Sequence, residues 1–488
     1  MAVSMGTTVP IPEGTDLSGR VAVLFLYMAA FLVPTGPVST VLAAELRLSP
    51  SISLQQFYSS YIGAAQSIED AVTSITPGIS AVSKNQFIDL SLDYSLQDNF
   101  YAVRNENTLF HLANVDGQFT ILRELLYLGT TLRNSEQNIS NSGRNAYDNL
   151  SLSEDTSNVL SYSVDPFLRY QFGHFADMEL KYSVGELLTE INDSNNENYS
   201  LSLKNGSTFS RMLWELGYTS NSQDFQNGDT VILNNMQGRI RYLLSRKLAL
   251  ITSLGYDENT YSNTNRVDGL LWNGGLEWNP SIRTSVQLVY GRRFFGTDLS
   301  LKASHRTRKT MLSIEYSIIP ETTRNLLVRD QVFRIADPFG NSIGGPDAPI
   351  PVNINLGVPT QSNEVLILKR FTMAFRYAAK RHTFLMEFAD EDREYELTGN
   401  NETLQDARFD WRIQLGGKTS ADLVFRWVDS GTTIDQDEEY LITNGTLNRV
   451  IGKNFNVNAG FAYIIRNSAV PKFEYTEGRV FAGINKTF

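Results

Sequence analysis

Apolar and polar residues alternate one for one over segment after segment of this 488-residue chain. Ile88, Leu90, Leu92, Tyr94 and Leu96 interleave with Asp89, Ser91, Asp93, Ser95 and Gln97. Met178, Leu180, Tyr182 and Val184 do the same against Asp177, Glu179, Lys181 and Ser183. The pattern returns in Phe371, Met373, Phe375 and Tyr377, in Phe409, Trp411, Ile413 and Leu415, and in Leu423, Phe425 and Trp427. Period two describes a strand whose faces meet different surroundings. Each run is about ten residues long, the length with which a tilted strand crosses a bilayer. After residue 43 no apolar stretch is long enough for a membrane helix.

Short polar turns are expected near 83–86, 122–124, 173–174, 205–208, 245–247, 280–282, 305–309, 380–381, 416–419 and 452–454. Longer polar links lie at 140–157, 192–198, 223–229 and 391–404. Short links at one end and long links at the other are the connectivity of an outer-membrane barrel. With a first strand at about 46–61 and a last at 474–488, the pattern predicts an all-β fold. It is a transmembrane antiparallel up-and-down β-barrel of about 22 strands, range 18–22, with both termini on the short-turn side. A soluble double sheet or solenoid also alternates. Against it stand the lack of a sustained repeat of 20–50 residues and aromatic residues placed as girdles near strand ends: Trp272 and Trp278, Phe294 and Phe295, Tyr94 and Tyr101. A closed barrel also removes the open edges of so many strands.

The termini fit this reading. Arg20, the apolar run 21–33, Pro34, Gly36, Pro37 and the small-residue pattern Val41-Leu42-Ala43 have the order of a signal peptide, with cleavage after Ala43 and either Met1 or Met5 as the start. The expected organisation is a signal peptide over 1–43 and a barrel over 44–488 with an insertion loop over 320–363. Phe488 closes a strand containing Gly478, Val480, Ala482 and Ile484, as barrels handed to the outer-membrane insertion machinery end, although Lys486 departs from the usual apolar residue.

Composition narrows the chemistry. The formal net charge of −11 argues against a nucleic-acid binder. Zero cysteine excludes disulfides, thiolate metal sites and Cys nucleophiles. His111, His174, His305 and His382 are isolated, and neither HExxH nor a P-loop occurs. No catalytic residue, metal site or cofactor is therefore expected. The acidic clusters 390–392 and 435–439 offer oxygen ligands for Ca²⁺, although solvated loops carry such clusters as well.

Charge on the polar faces is more informative. Opposite the apolar faces above stand Arg370 and Arg376, then Arg408, Asp410 and Arg412, then Asp422 and Arg426. A lipid-facing Arg at midplane costs about 2–4 kcal/mol, so these seven are expected to line the lumen. They serve either a hydrated channel or ion pairs that brace the wall. The 320–363 loop is long and rich in Pro and Gly, yet carries Leu326, Leu327 and Val328, among other apolar residues, which is too apolar for a free linker. It is expected to pack in the lumen or mouth, with Asp337, Pro338, Phe339, Gly340, Gly344 and Gly345 as gating or plug residues; an external lid is the alternative.

Several stretches carry a resemblance. They are 48–55 (LSPSISLQ), 76–80 (TPGIS) followed by 90–97 (LSLDYSLQ), 324–340 (RNLLVRDQVFRIADPFG) and Arg393-Glu394-Tyr395. The chain resembles the uncharacterised outer-membrane barrels encoded with exosortase and PEP-CTERM exopolysaccharide systems. The resemblance implies an outer-membrane component of a Gram-negative cell, beside polysaccharide synthesis and export. The expected function is a passive pore for an exopolysaccharide. Its partners would be outer-membrane lipids, the barrel insertion machinery, polysaccharide and export-complex proteins, and no nucleic acid. The alternatives are a rim-active enzyme on lipid or glycan, and a structural or surface-binding barrel without transport.

Overall fold

The computed structural model describes residues 46–488 apart from 63–67, 139–147, 152, 154–155, 191–192, 227, 229, 262–265, 331–363 and 433–436. The expected signal peptide with its Ala43 cleavage site lies outside the described residues, as do Asp337, Pro338, Phe339, Gly340, Gly344 and Gly345.

The first strands are β1 (Arg47–Ser59), β2 (Asp70–Lys84), β3 (Ile88–Tyr101), β4 (Glu106–Leu122), β5 (Leu126–Asn138), β6 (Thr156–Phe172) and β7 (Ala176–Leu188). Next come β8 (Ser194–Asn205), β9 (Met212–Phe225), β10 (Val231–Leu243), β11 (Leu248–Tyr261), β12 (Arg266–Ser281), β13 (Thr284–Arg293), β14 (Gly296–Arg306) and β15 (Thr310–Thr322). A helix, α1 (Thr323–Asp330), precedes β16 (Val365–Ala378), β17 (His382–Tyr395), β18 (Asn401–Gly416) and β19 (Thr419–Thr432). The chain finishes with β20 (Glu438–Val450), β21 (Phe455–Ser468) and β22 (Tyr475–Thr487). Each strand pairs antiparallel with the next, and β22 returns to β1 through Arg479↔Ser59 to Thr487↔Ser51, closing a 22-stranded barrel. The expected fold is therefore the observed one.

All ten expected short turns fall at one end, between β2 and β3, β4 and β5, and so on to β20 and β21. Local chemistry makes them tight. Asn85 Oδ1 accepts from the Phe87 and Ile88 amides, an Asx turn. Gly173 and Gly452 adopt φ of 59° and 75°, where a Cβ would be strained.

Register carries one face around the whole ring. The outward face is apolar: Met236, Leu254 and Leu270 are 65%, 62% and 60% exposed, and Trp272 and Trp278 are exposed with them. A continuous apolar exterior of this kind is stable only against lipid. Tyr101 corrects the girdle expectation: Val72↔Tyr101 places it on the lumen face, buried, with its hydroxyl donating to the Leu150 carbonyl. The sequence hid this because Phe100 beside it takes the outward position.

Candidate functional site: the long-loop end of the lumen

At the long-loop end of the barrel the start of the segment between β15 and β16 turns inward against the wall. Thr322 caps α1, its Oγ1 accepting from the Asn325 amide at 3.4 Å, while Asn325 Nδ2 donates to Glu321 at 2.6 Å. The helix then meets two walls. Leu326 packs with Leu366 and Leu368 of β16 and Tyr395 of β17, all buried. Leu327 packs with Val159 of β6 and Leu187 of β7. Asn325 Oδ1 accepts from Gln223 Nε2 of β9 at 3.1 Å, and Arg324 Nε donates to Ser194 Oγ of β8 at 3.1 Å. Strands β6–β9 and β16–β17 are separate parts of the ring, so one short helix touches two walls. Beside it Val365 of β16 meets Phe225, Val231 and Tyr261 of β9, β10 and β11, so the two walls also touch directly.

A second inward segment packs on the wall elsewhere around the mouth. Residues 148–151, between β5 and β6, lie over β22, β1, β2 and β3. Leu150 is buried among Phe57, Val72 and Tyr101, and Asn99 Nδ2 donates to the Asn149 carbonyl at 3.0 Å. Asp148 is fully buried against Arg479, which also meets Glu477 at 2.6 Å. Burial disfavours each charge alone, so the group is stable only as a set.

Beyond these contacts the lumen wall is charged. Register and pairing put Arg370, Arg376, Arg408, Asp410, Arg412, Asp422 and Arg426 on the same face as Leu366, Glu402 and Ser430, which is the inward one. Arg370 meets Glu391 at 3.1 Å, Arg408 meets Asp410 at 2.8 Å, Arg426 meets Asp406 at 2.8 Å, and Arg412 pairs with Asp422. Arg376 stands between Met311 and Leu385. Further round, Arg241 forks onto Glu277 and Arg293 onto Asp257. Six of the seven thus stand in ion pairs on this face, and Arg376 shares the face with them.

Sequence reasoning missed Asp148, Arg324, Arg393 and Arg479. Arg393 is buried and meets Glu391 at 2.9 Å and Glu402 at 3.6 Å, and its alternation with Glu391 was the available signal. The acidic run 390–392 does not form one cluster, because alternation sends Asp390 and Asp392 outward and Glu391 inward. No group of metal-binding side chains occurs among the described residues. Ser207 Oγ lies 3.1 Å from His174 Nδ1, on exposed short turns. The Thr208 amide also donates to the His174 carbonyl, so this contact belongs to the stapling of two neighbouring turns.

Burial pushes the Arg324 guanidinium down to about 10. Burial, then the nearby Glu394, raises the Glu396 carboxyl above the usual range.

No protein family matches the chain, and no curated protein is similar to it. Solved structures are similar. The siderophore receptor PirA from Acinetobacter baumannii matches with a TM-score of 0.52 at 8% identity, over 90% of this chain and 80% of that one. The FrpB iron transporter from Neisseria meningitidis (F5-1 variant) matches with a TM-score of 0.51 at 10% identity, over 91% and 83%. The likeness is one of fold. It places the chain among barrels with outer-membrane architecture, and both neighbours are named for receptor or transport roles.

Proposed function

We propose that the protein is an outer-membrane transport barrel, a conduit for exopolysaccharide whose long-loop mouth is shut by α1. The observation that carries this reading is the contact of α1 with both walls of the lumen. A barrel of this strand number is wide enough to need plugging, as 22-stranded outer-membrane transporters are plugged. An eight-residue helix held mainly by apolar contacts is a closure that can be displaced without unfolding the wall. The polysaccharide assignment is supported by the resemblance to exopolysaccharide-locus barrels and by a lumen wall of guanidinium and carboxylate groups suited to sugar hydroxyls.

Planar-bilayer recordings test it. The native protein is expected to conduct weakly, and replacing residues 323–330 by an equal length of Gly-Ser should raise single-channel conductance several-fold and admit neutral oligosaccharides in liposome swelling. Unchanged conductance would favour a structural barrel. A second reading, uptake of an iron chelate, is favoured by the fold likeness to PirA and FrpB; growth on ferric siderophores as sole iron source, lost on deletion of the gene, would support it.

A further inference from the structure

Most lumen guanidinium groups described above meet a carboxylate. Arg324 does not. It is 7% exposed, and among the described residues its hydrogen-bond partner is the Ser194 hydroxyl. Its side chain reaches Ser194 on the lumen face of β8, which with the adjoining face of β9 also carries the uncharged Asn196 and Gln223, opposite one another in register. Gln223 Nε2 is used twice, toward Asn221 and Asn325. Its Oε1 is buried without a hydrogen bond, and so is Asn196 Oδ1. One buried cation without a counter-charge and two buried acceptors without donors therefore sit on adjoining elements. Each carries a desolvation penalty, and each is relieved by a complementary group.

The complementary molecule must bring an anion and hydroxyl donors together. We propose that Arg324, Ser194, Asn196 and Gln223 form a subsite for an acidic sugar: a uronate carboxylate on the Arg324 guanidinium, and ring hydroxyls donating to Gln223 Oε1 and Asn196 Oδ1. This rests on the transport reading and names its substrate class, a uronate-bearing polysaccharide. A planar guanidinium fork suits a carboxylate better than a point charge does. Because Arg324 belongs to α1, the sugar would engage the element that closes the lumen.

Calorimetry on the folded full-length protein in detergent reads binding without needing conduction. Trigalacturonate is expected to bind at least tenfold more tightly than maltotriose. Arg324→Gln should abolish that preference, and Arg324→Lys should keep part of it. Gln223→Leu should weaken trigalacturonate while leaving any response to sulfate unchanged. Heat-modifiable gel migration identifies variants that fail to fold, for which the Lys variant is the substitute. Equal binding of the two trisaccharides, or a preference that survives Arg324→Gln, overturns the subsite. A sulfate response equal to that of trigalacturonate and indifferent to Gln223 also overturns it, leaving a simple anion site. A barrel that never conducts yet binds uronate would overturn the pore reading alone.

Discussion

Arg479 Nη1 of β22 lies 2.5 Å from Asp148 Oδ2, joining the last strand to a segment 331 residues earlier, and both side chains are buried. This pair ties the inward segment 148–151 to the seam where the barrel closes. Removing one partner of a buried pair costs roughly 3–5 kcal/mol, and the retained Glu477 contact puts Asp148→Asn at the lower end. Urea unfolding in liposomes should show that loss. An unchanged midpoint would mean that the segment is not anchored there.

Leu326→Ala and Leu327→Ala each free one end of α1. Truncating a buried Leu costs about 2–5 kcal/mol, here charged against the docked helix and not against the barrel wall. Opening frequency in bilayers should rise in both variants with little change in thermal unfolding. Leu288→Ala, on the exposed outer face, should leave the recordings unchanged.

Acid should tighten the closed end. The Glu396 amide donates to the Val365 carbonyl at 3.0 Å, beside the wall-to-wall contact. Its carboxyl is raised above the ordinary value of 4.5 when folded, so its stabilising contribution is complete below that value and is lost as pH rises through the raised one. Opening frequency should increase across that window, and Glu396→Gln should flatten the dependence. Arg324 has the opposite sign: its depressed value means the docked helix is penalised at neutral pH, so Arg324→Met should reduce opening.

Replacing Arg412 and Arg426 by Ala separates lining from bracing. The Arg412 side chain is 48% exposed, so losing its pair with Asp422 costs about 1 kcal/mol or less. The barrel should fold, and reversal potentials should show a weaker preference for anions because Asp406 and Asp422 remain. Failure to fold would make these residues braces first.

The wall was legible in the sequence because a strand between lipid and water writes its faces in alternate residues. Leu423, Phe425 and Trp427 against Asp422 and Arg426 announce the inner and outer surfaces without any tertiary knowledge. Strand number followed from turns such as 83–86 and 452–454, where Asn and Gly chemistry marks each reversal. The closure was less legible. The apolar excess of Leu326, Leu327 and Val328 signalled that the insertion packs inward, but not that its first residues form a helix reaching β6 and β7. Asp148–Arg479 and Arg324–Ser194 join positions far apart in the chain. Local pattern holds no record of such pairs, because they depend on which strands the closed ring sets face to face.

The central claim is that α1 closes the lumen by bridging its walls. The chain has no cysteine, so Leu187→Cys and Leu327→Cys place a single cross-link between wall and helix. In planar bilayers the oxidised protein should stay at low conductance, and adding reductant should produce openings several-fold larger. Equal conductance before and after reduction, with cross-linking confirmed by gel shift, would contradict the account.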